Sequence, residues 1–119
     1  MTRKISGGSY HSNRKKKLFE RAGQPRRVIL KEQKVRKIRT LGGNIKTVLL
    51  QANSVNLLAD GKVQKAEITN VVETPQNKFF ARENRLLKGV IIETSKGKAR
   101  ITNRPTQEGC INAILIEKA

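Results

Sequence analysis

Few residues in this chain have types suited to catalysis, and none of them is held in a useful pattern. There is one histidine, His11, set between Tyr10 and Ser12 with no carboxylate or nucleophile beside it. A general base needs a held geometry as well as a suitable pKa, so His11 reads as a polar contact or nothing. Cys110 is the one cysteine. It cannot close an internal disulfide, and at the start of a β-prone run it reads as a small buried hydrophobe. One His and one Cys do not make the usual nitrogen-sulfur zinc set. Asp60, Glu67, Glu73, Glu83, Glu93, Glu108 and Glu117 are scattered among basic residues and form no identifiable acid-base pair. Gly7-Gly8 and Gly42-Gly43 lack the following Lys-Ser/Thr of a nucleotide loop. The sequence therefore points to no catalytic residue, metal, cofactor or small-molecule substrate, and a small nuclease-like enzyme is the weakest of the alternatives.

The chemistry the chain does carry is cationic. It has 26 Lys+Arg against 9 Asp+Glu, a formal net charge of +17 over 119 residues. Such a charge repels itself and is tolerated mainly when a polyanion compensates it. Residues 1–46 hold 15 of the basic residues against 2 acidic ones, a net of +13, which leaves +4 for residues 47–119. The first group is Arg3, Lys4, the block Arg14-Lys15-Lys16-Lys17, Arg21, Arg26 and Arg27; the second is Lys34, Arg36, Lys37, Arg39 and Lys46. Lys98, Arg100 and Arg104 follow much later. Arg offers phosphate a planar fork and Lys a compact charge. Gly7, Gly8, Gly42 and Gly43 are read as points where backbone turns sharply or closely approaches RNA. Tyr10, Phe19, Phe79 and Phe80 are the whole aromatic set, too few for a multi-base stacking platform, so shape recognition of a folded RNA is the expectation. No apolar run approaches the roughly 20 residues of a membrane span, and the first thirty residues resemble no secretion signal.

These side chains need elements to place them. Residues 1–25 have few large apolar side chains, which cannot offset an ordering entropy of about 1–2 kcal/mol per residue. They are expected to be a basic RNA-binding extension, mobile without RNA, that forms a helical turn or two across 15–21, ended by Gly23 and Pro25, when it lies against RNA. Residues 26–119 are expected to be a β-barrel domain that includes a basic hairpin, 34–46, turning at Gly42-Gly43-Asn44. The returning strand 45–52 has two apolar faces, Val48 and Leu50 against Ile45, Thr47 and Leu49, and so should be covered on both sides or lie at a barrel corner. Two further strands meet at Asp60-Gly61, with Ala66, Ile68, Asn70 and Val72 sharing one face of the second. A short helix over 78–84 is capped by Asn77 or Thr74. A hairpin turns at Ser95-Lys96-Gly97, 104–109 is a loop, and 110–116 closes the fold with Ile111, Ala113 and Leu115 on one side. The fold class is mainly β: a small closed or partly open β-barrel with one short helix and a basic extended N-terminal arm.

Read in order, the motifs resemble the S8e (eS8) family of archaeal and eukaryotic small-subunit ribosomal proteins. Ser6-Gly7-Gly8 is similar to the family's T-G-G, and Lys15-Lys16-Lys17-Leu18-Phe19-Glu20 to K-x-R-K-Y-E, followed by Gly23 and Pro25. Thr40-Leu41-Gly42-Gly43-Asn44 resembles R-x-R-G-G-N, and Asn70-Val71-Val72-Glu73-Thr74-Pro75 with Asn77 resembles N-V-V-E-N-P-x-N. Lys88-Gly89-Val90-Ile91-Ile92-Glu93-Thr94, Gly97-Lys98-Ala99-Arg100 and Thr102-Asn103-Arg104-Pro105 are similar to K-G-A-I-I-E-T, G-x-A-R and T-S-R-P. The short form, without a large central insertion, looks archaeal.

The resemblance implies a β-barrel whose basic extension threads across 16S ribosomal RNA, supporting its folding and assembly without catalysis. It further implies neighbouring small-subunit ribosomal proteins as partners and a cytoplasmic location in the small ribosomal subunit. By motif match it puts Lys15, Lys16, Lys17, Gly42, Gly43, Asn44, Arg100 and Arg104 near RNA. The chain departs from the pattern at 21–25, where Gln24 stands in place of an Arg of the family's L-G-R-P; Arg26 or Arg27 is expected to take over that contact. The rival reading is a non-ribosomal DNA- or RNA-binding regulator.

Overall fold

In the computed structural model, which describes residues 2–118, the alternating apolar runs of the second half close on one another. Met1 and Ala119, the outer ends of the two expected segments, lie outside the described residues. Five strands form a closed barrel: β4 (Ser54–Ala59), β5 (Lys62–Glu73), β6 (Ile91–Thr94), β7 (Gly97–Ile101) and β8 (Asn112–Lys118). Neighbours in sequence pair antiparallel from β4 to β8, and β8 closes the ring by pairing parallel to β4 at Asn56–Asn112, Leu57–Ala113 and Leu58–Ile114. Closure removes the open edges that a flat sheet would expose. Val55, Leu57, Ala66, Ile68, Ile92, Ala99, Ile101 and Ala113 fill the interior. Each large aliphatic side chain among them gains roughly 1.5–3 kcal/mol by leaving water.

The alternation of β5 breaks where the expected face fails. The register with β6 shifts between Ile68 and Asn70 and again between Val71 and Glu73. Ala66 and Ile68 point inward as expected, but the first bulge turns Val71 into the core and leaves Asn70 exposed and Val72 45% exposed. An extra residue in one strand exchanges the two faces beyond it.

The basic hairpin forms a second sheet rather than barrel strands. β1 (Ile29–Leu30), β2 (Lys34–Arg39) and β3 (Ile45–Ala52) are ordered β1-β3-β2. The turn between β2 and β3 is a single 3-10 turn, Leu41–Gly43, in which Gly42 and Gly43 take φ of 78° and 76°. Two successive left-handed positions are strained for any residue with a Cβ. The Thr40 amide and hydroxyl both donate to the Asn44 carbonyl, at 2.7 and 2.9 Å, and close the turn.

Adjacent Val48 and Leu49 are both fully buried, so β3 is covered on both sides as its two apolar faces suggested. Leu50, expected to share a face with Val48, is instead the residue the register skips between Leu49–Val35 and Gln51–Lys34. Leu49 and Ala52 join the barrel core, together with Val28. The Leu30 amide donates to the Asn84 carbonyl at 3.1 Å and the Leu86 amide to the Val28 carbonyl at 2.9 Å, so the chain entering the body is stitched between β3 and residues 84–86.

Two short helices complete the body. α1 (Lys78–Arg82) starts where Asn77 Oδ1 accepts from the Phe79 amide at 3.0 Å, as expected of that cap. The segment 104–109, expected to be a loop, contains a single helical turn, α2 (Pro105–Glu108), packed on β3. Pro105 at its first position and left-handed Gly109 after its end are the usual start and stop.

Residues 2–27 are exposed throughout. The radius of gyration is 19.8 Å and the longest extent 67 Å, against about 13.5 Å for a compact chain of this length. The excess is the arm.

Candidate nucleic-acid interface

The arm contains two local structures, each built on one or two hydrogen-bonded turns. In the first, the Lys4 amide donates to the Gly8 carbonyl and the Gly7 amide to the Lys4 carbonyl, both at 2.9 Å, and Arg3 bridges to Ser9. Gly7 sits at φ 82°, and the Lys4 ammonium lies 5.6 Å from the Tyr10 ring centroid. In the second, one 3-10 turn, Leu18–Glu20, forms within the stretch 15–21, where a helical turn or two is expected on RNA. Arg14 grips the Glu20 carboxylate with its two terminal guanidinium nitrogens, at 3.0 and 2.7 Å, while the Lys17 amide donates to it at 3.1 Å. Those two partners, Arg14 first, hold the Glu20 carboxyl below its ordinary pKa. Arg14 is thus engaged within the arm, whereas Lys15, Lys16 and Lys17 extend their side chains into solvent. Arg21 Nε donates to the Lys16 carbonyl at 3.4 Å, and Arg26 and Arg27 are exposed at the junction with the body.

The hairpin gathers the second group of cations. β2 is an edge strand, and its Lys34, Arg36, Lys37 and Arg39 are all exposed. Arg36 stands opposite Val48, Lys37 opposite Thr47 and Arg39 opposite Ile45, so the cations leave both faces of the ribbon and form a rim. No Asp or Glu occurs between Gln33 and Ala59, so the sequence supplies nothing within the hairpin to neutralise that rim. Lys46 differs from its neighbours: it is half-buried and donates to Gln107 Oε1 of α2. Asn44 serves the turn, donating to the Leu41 carbonyl at 3.3 Å.

The later candidates are not all placed alike. Arg104 is exposed at the N-terminal end of α2, which packs on β3 of the hairpin. Its neighbour Asn103 clasps the whole loop: Nδ2 donates to the Cys110 carbonyl at 2.7 Å and to Glu108 Oε2 at 2.9 Å, and Oδ1 accepts from the Asn112 amide at 3.0 Å. Lys98 and Arg100 lie on β7, on the outer wall of the barrel, and Lys98 pairs with Glu117 at 3.4 Å. They belong to the barrel sheet, separate from the hairpin sheet.

Sequence reasoning missed the cations around α1. The Arg85 guanidinium lies 4.1 Å from the Phe80 ring centroid and 2.5 Å from the Glu83 carboxylate, and Arg82 lies 5.8 Å from Phe79. The i, i+3 spacing of Phe79 and Arg82 on a helix was the available signal. Lys31, exposed beside β1, was missed as well.

The residues suited to catalysis stay apart. His11 is exposed in the arm, and Cys110 is half-buried rather than buried, with its Sγ 4.0 Å from the side-chain amides of Asn103 and Asn112. Among the described residues no group of three His, Cys, Asp or Glu is placed to hold a metal, and no helix is long and apolar enough to cross a membrane.

Fold and surface together define a class: a small, strongly basic β-barrel protein that carries a cationic arm and a cationic hairpin. Comparison with known proteins makes the assignment specific. The model of the family described as "Ribosomal protein S8e" matches residues 1–116, and the chain belongs to that family. A protein named "Small ribosomal subunit protein eS8" from Methanocorpusculum labreanum is 44% identical over 117 residues, covering 97% of this chain and 94% of its own. Its namesake from Methanocella arvoryzae is 42% identical with the same coverage. That from Sulfurisphaera tokodaii is 44% identical over 119 residues, covering 98% of this chain and 93% of its own.

Proposed function

We propose that this protein is a non-enzymatic structural constituent of the small ribosomal subunit, working in the cytoplasm, that binds 16S rRNA and supports its folding and assembly. Family membership and the names of the relatives support the small-subunit role. The observation that carries RNA binding is the exposed, carboxylate-poor cation set of residues 1–46, divided between the arm and the edge strand β2. In this reading residues 1–25 are mobile in the isolated protein and become ordered along the RNA, while residues 26–119 anchor them. Lys4, Lys15, Lys16, Lys17, Arg21, Arg26 and Arg27 meet phosphates, and Gly7 and Gly8 let the backbone come close. The rim of Lys34, Arg36, Lys37 and Arg39, with Arg104 beside it, makes the second contact. Neighbouring small-subunit proteins complete the environment.

Deleting residues 1–25 tests this reading. The described residues of the arm make no strand of the barrel, so the remainder is expected to stay folded by circular dichroism while its co-sedimentation with small subunits on a sucrose gradient falls sharply. The deletion removes seven Lys/Arg, so the slope of log affinity against log salt should become shallower by up to about 5, at about 0.7 per phosphate lost. Unchanged occupancy and slope would remove the arm from the interface. Equal affinity for duplex DNA and for folded 16S rRNA would favour a regulator instead.

A further inference from the structure

One stretch of the barrel's outer wall is apolar where an exposed sheet face is ordinarily polar. Leu58 on β4 stands opposite Val63 on β5 and opposite Ile114 on β8, and Ile116 follows two residues along. These four side chains are 39%, 70%, 47% and 49% exposed, respectively. Shallow grooves of about 340 and 370 Å³ run on either side of Leu58 and Ile114, and the first is also lined by Asn56, Thr102 and Asn112. The charges around this patch differ from those of the hairpin. Lys118 is paired with Asp60 at 2.8 Å and Lys98 with Glu117 at 3.4 Å. Lys65, opposite Asn56, and Arg100, opposite Ile114, flank the patch from two sides and have no carboxylate partner among the described residues.

We infer that this face docks an extended segment of a neighbouring small-subunit protein, apolar in its centre and carrying carboxylates on either side. The inference rests on the ribosomal reading above. The apolar centre itself carries no donor for phosphate, and Lys98 and Lys118 are paired, whereas the grooves accept aliphatic side chains. Asn56 Nδ2 donates to Asn112 Oδ1 at 3.2 Å, so Asn56 Oδ1 and Asn112 Nδ2 are what that pair has to offer a peptide backbone. Carboxylates flanking such a segment meet Lys65 and Arg100. The exposed apolar area is on the order of 300 Å², the size of a functional patch on a monomer. A stable complex in solution needs about 800 Å² from each partner. The patch is therefore too small to hold a second copy of this chain in dilute solution, but sufficient for a segment already held nearby by a shared RNA.

Val63→photoleucine tests the occupant. The full chain carrying this probe is expressed in its own cells, small subunits are purified and irradiated, and the crosslinked product is identified by mass spectrometry. A crosslink to an apolar segment with flanking acidic residues in another small-subunit protein is the expected result. A crosslink to rRNA, a crosslink to a second copy of this chain, or no crosslink in subunits that contain the probe overturns the inference. Absence of the chain from small subunits overturns the ribosomal reading itself, and this inference with it. Val63→Asp gives an independent readout: retention in subunits through a high-salt wash should drop several-fold, with unchanged affinity for isolated 16S rRNA. Retention equal to wild type contradicts the proposal.

Discussion

At the scale of single residues, Gly109 and Gly61 separate two reasons for having glycine. Both take φ of 75°, but a Cβ on Gly109 would lie 2.7 Å from Thr47 Cγ2, while one on Gly61 would meet nothing within 4 Å. Gly61→Ala adds only backbone strain, about 1 kcal/mol. Gly109→Ala adds a clash between α2 and β3, and is expected to lose a further 1–3 kcal/mol or so of stability in urea unfolding. Equal losses would mean that the contact with Thr47 carries no weight. Glu20 gives a second residue-level test. Its pKa is lowered by Arg14 and the Lys17 amide, so the turn they form is present at neutral pH and is lost only as pH falls through that lowered value. A carbon-detected NMR titration should show Glu20 titrating below the ordinary Glu range; an ordinary midpoint would mean that the clasp does not persist in solution.

At the scale of elements, much of the body was legible because glycine turns and period-two runs are local signals. The hairpin over 34–46, its Gly42-Gly43 reversal, the reversal at Ser95-Lys96 and the Asn77 cap all depend on residues within a few positions of one another, although Gly97, expected within that second loop, is the first residue of β7 and pairs with Thr94. What was not legible depends on distant partners. The bulge that turns Val71 inward exists only against β6, and the skipped Leu50 only against β2. The parallel pairing of β8 with β4 joins residues 56 positions apart and leaves no local trace. A different cause hid α2: four residues cannot hold a helix without the sheet beneath them. Even so, Pro105 and Gly109 gave its start and stop. For the hairpin, replacing Gly42 and Gly43 together by Val should speed amide exchange along β2 and weaken 16S rRNA binding while the barrel amides stay protected. Wild-type exchange with wild-type affinity would refute the role given to that turn.

For the whole molecule, composition divides two physical problems between two parts of the chain. Residues 47–119 bury a core at modest net charge, and residues 1–46 carry charge that neither the barrel nor their own few carboxylates neutralise. The cation groups are legible in the sequence as residue types, but their engagement is not. Arg14 is held by Glu20, Lys46 by Gln107 and Lys98 by Glu117, contacts set by folded geometry. The most direct measurement of the central claim is crosslinking in intact cells, read out as both RNA sequence and modified peptide. The account predicts 16S rRNA joined to peptides from residues 1–46. Reads spread over other transcripts, or adducts confined to the barrel wall, would contradict it.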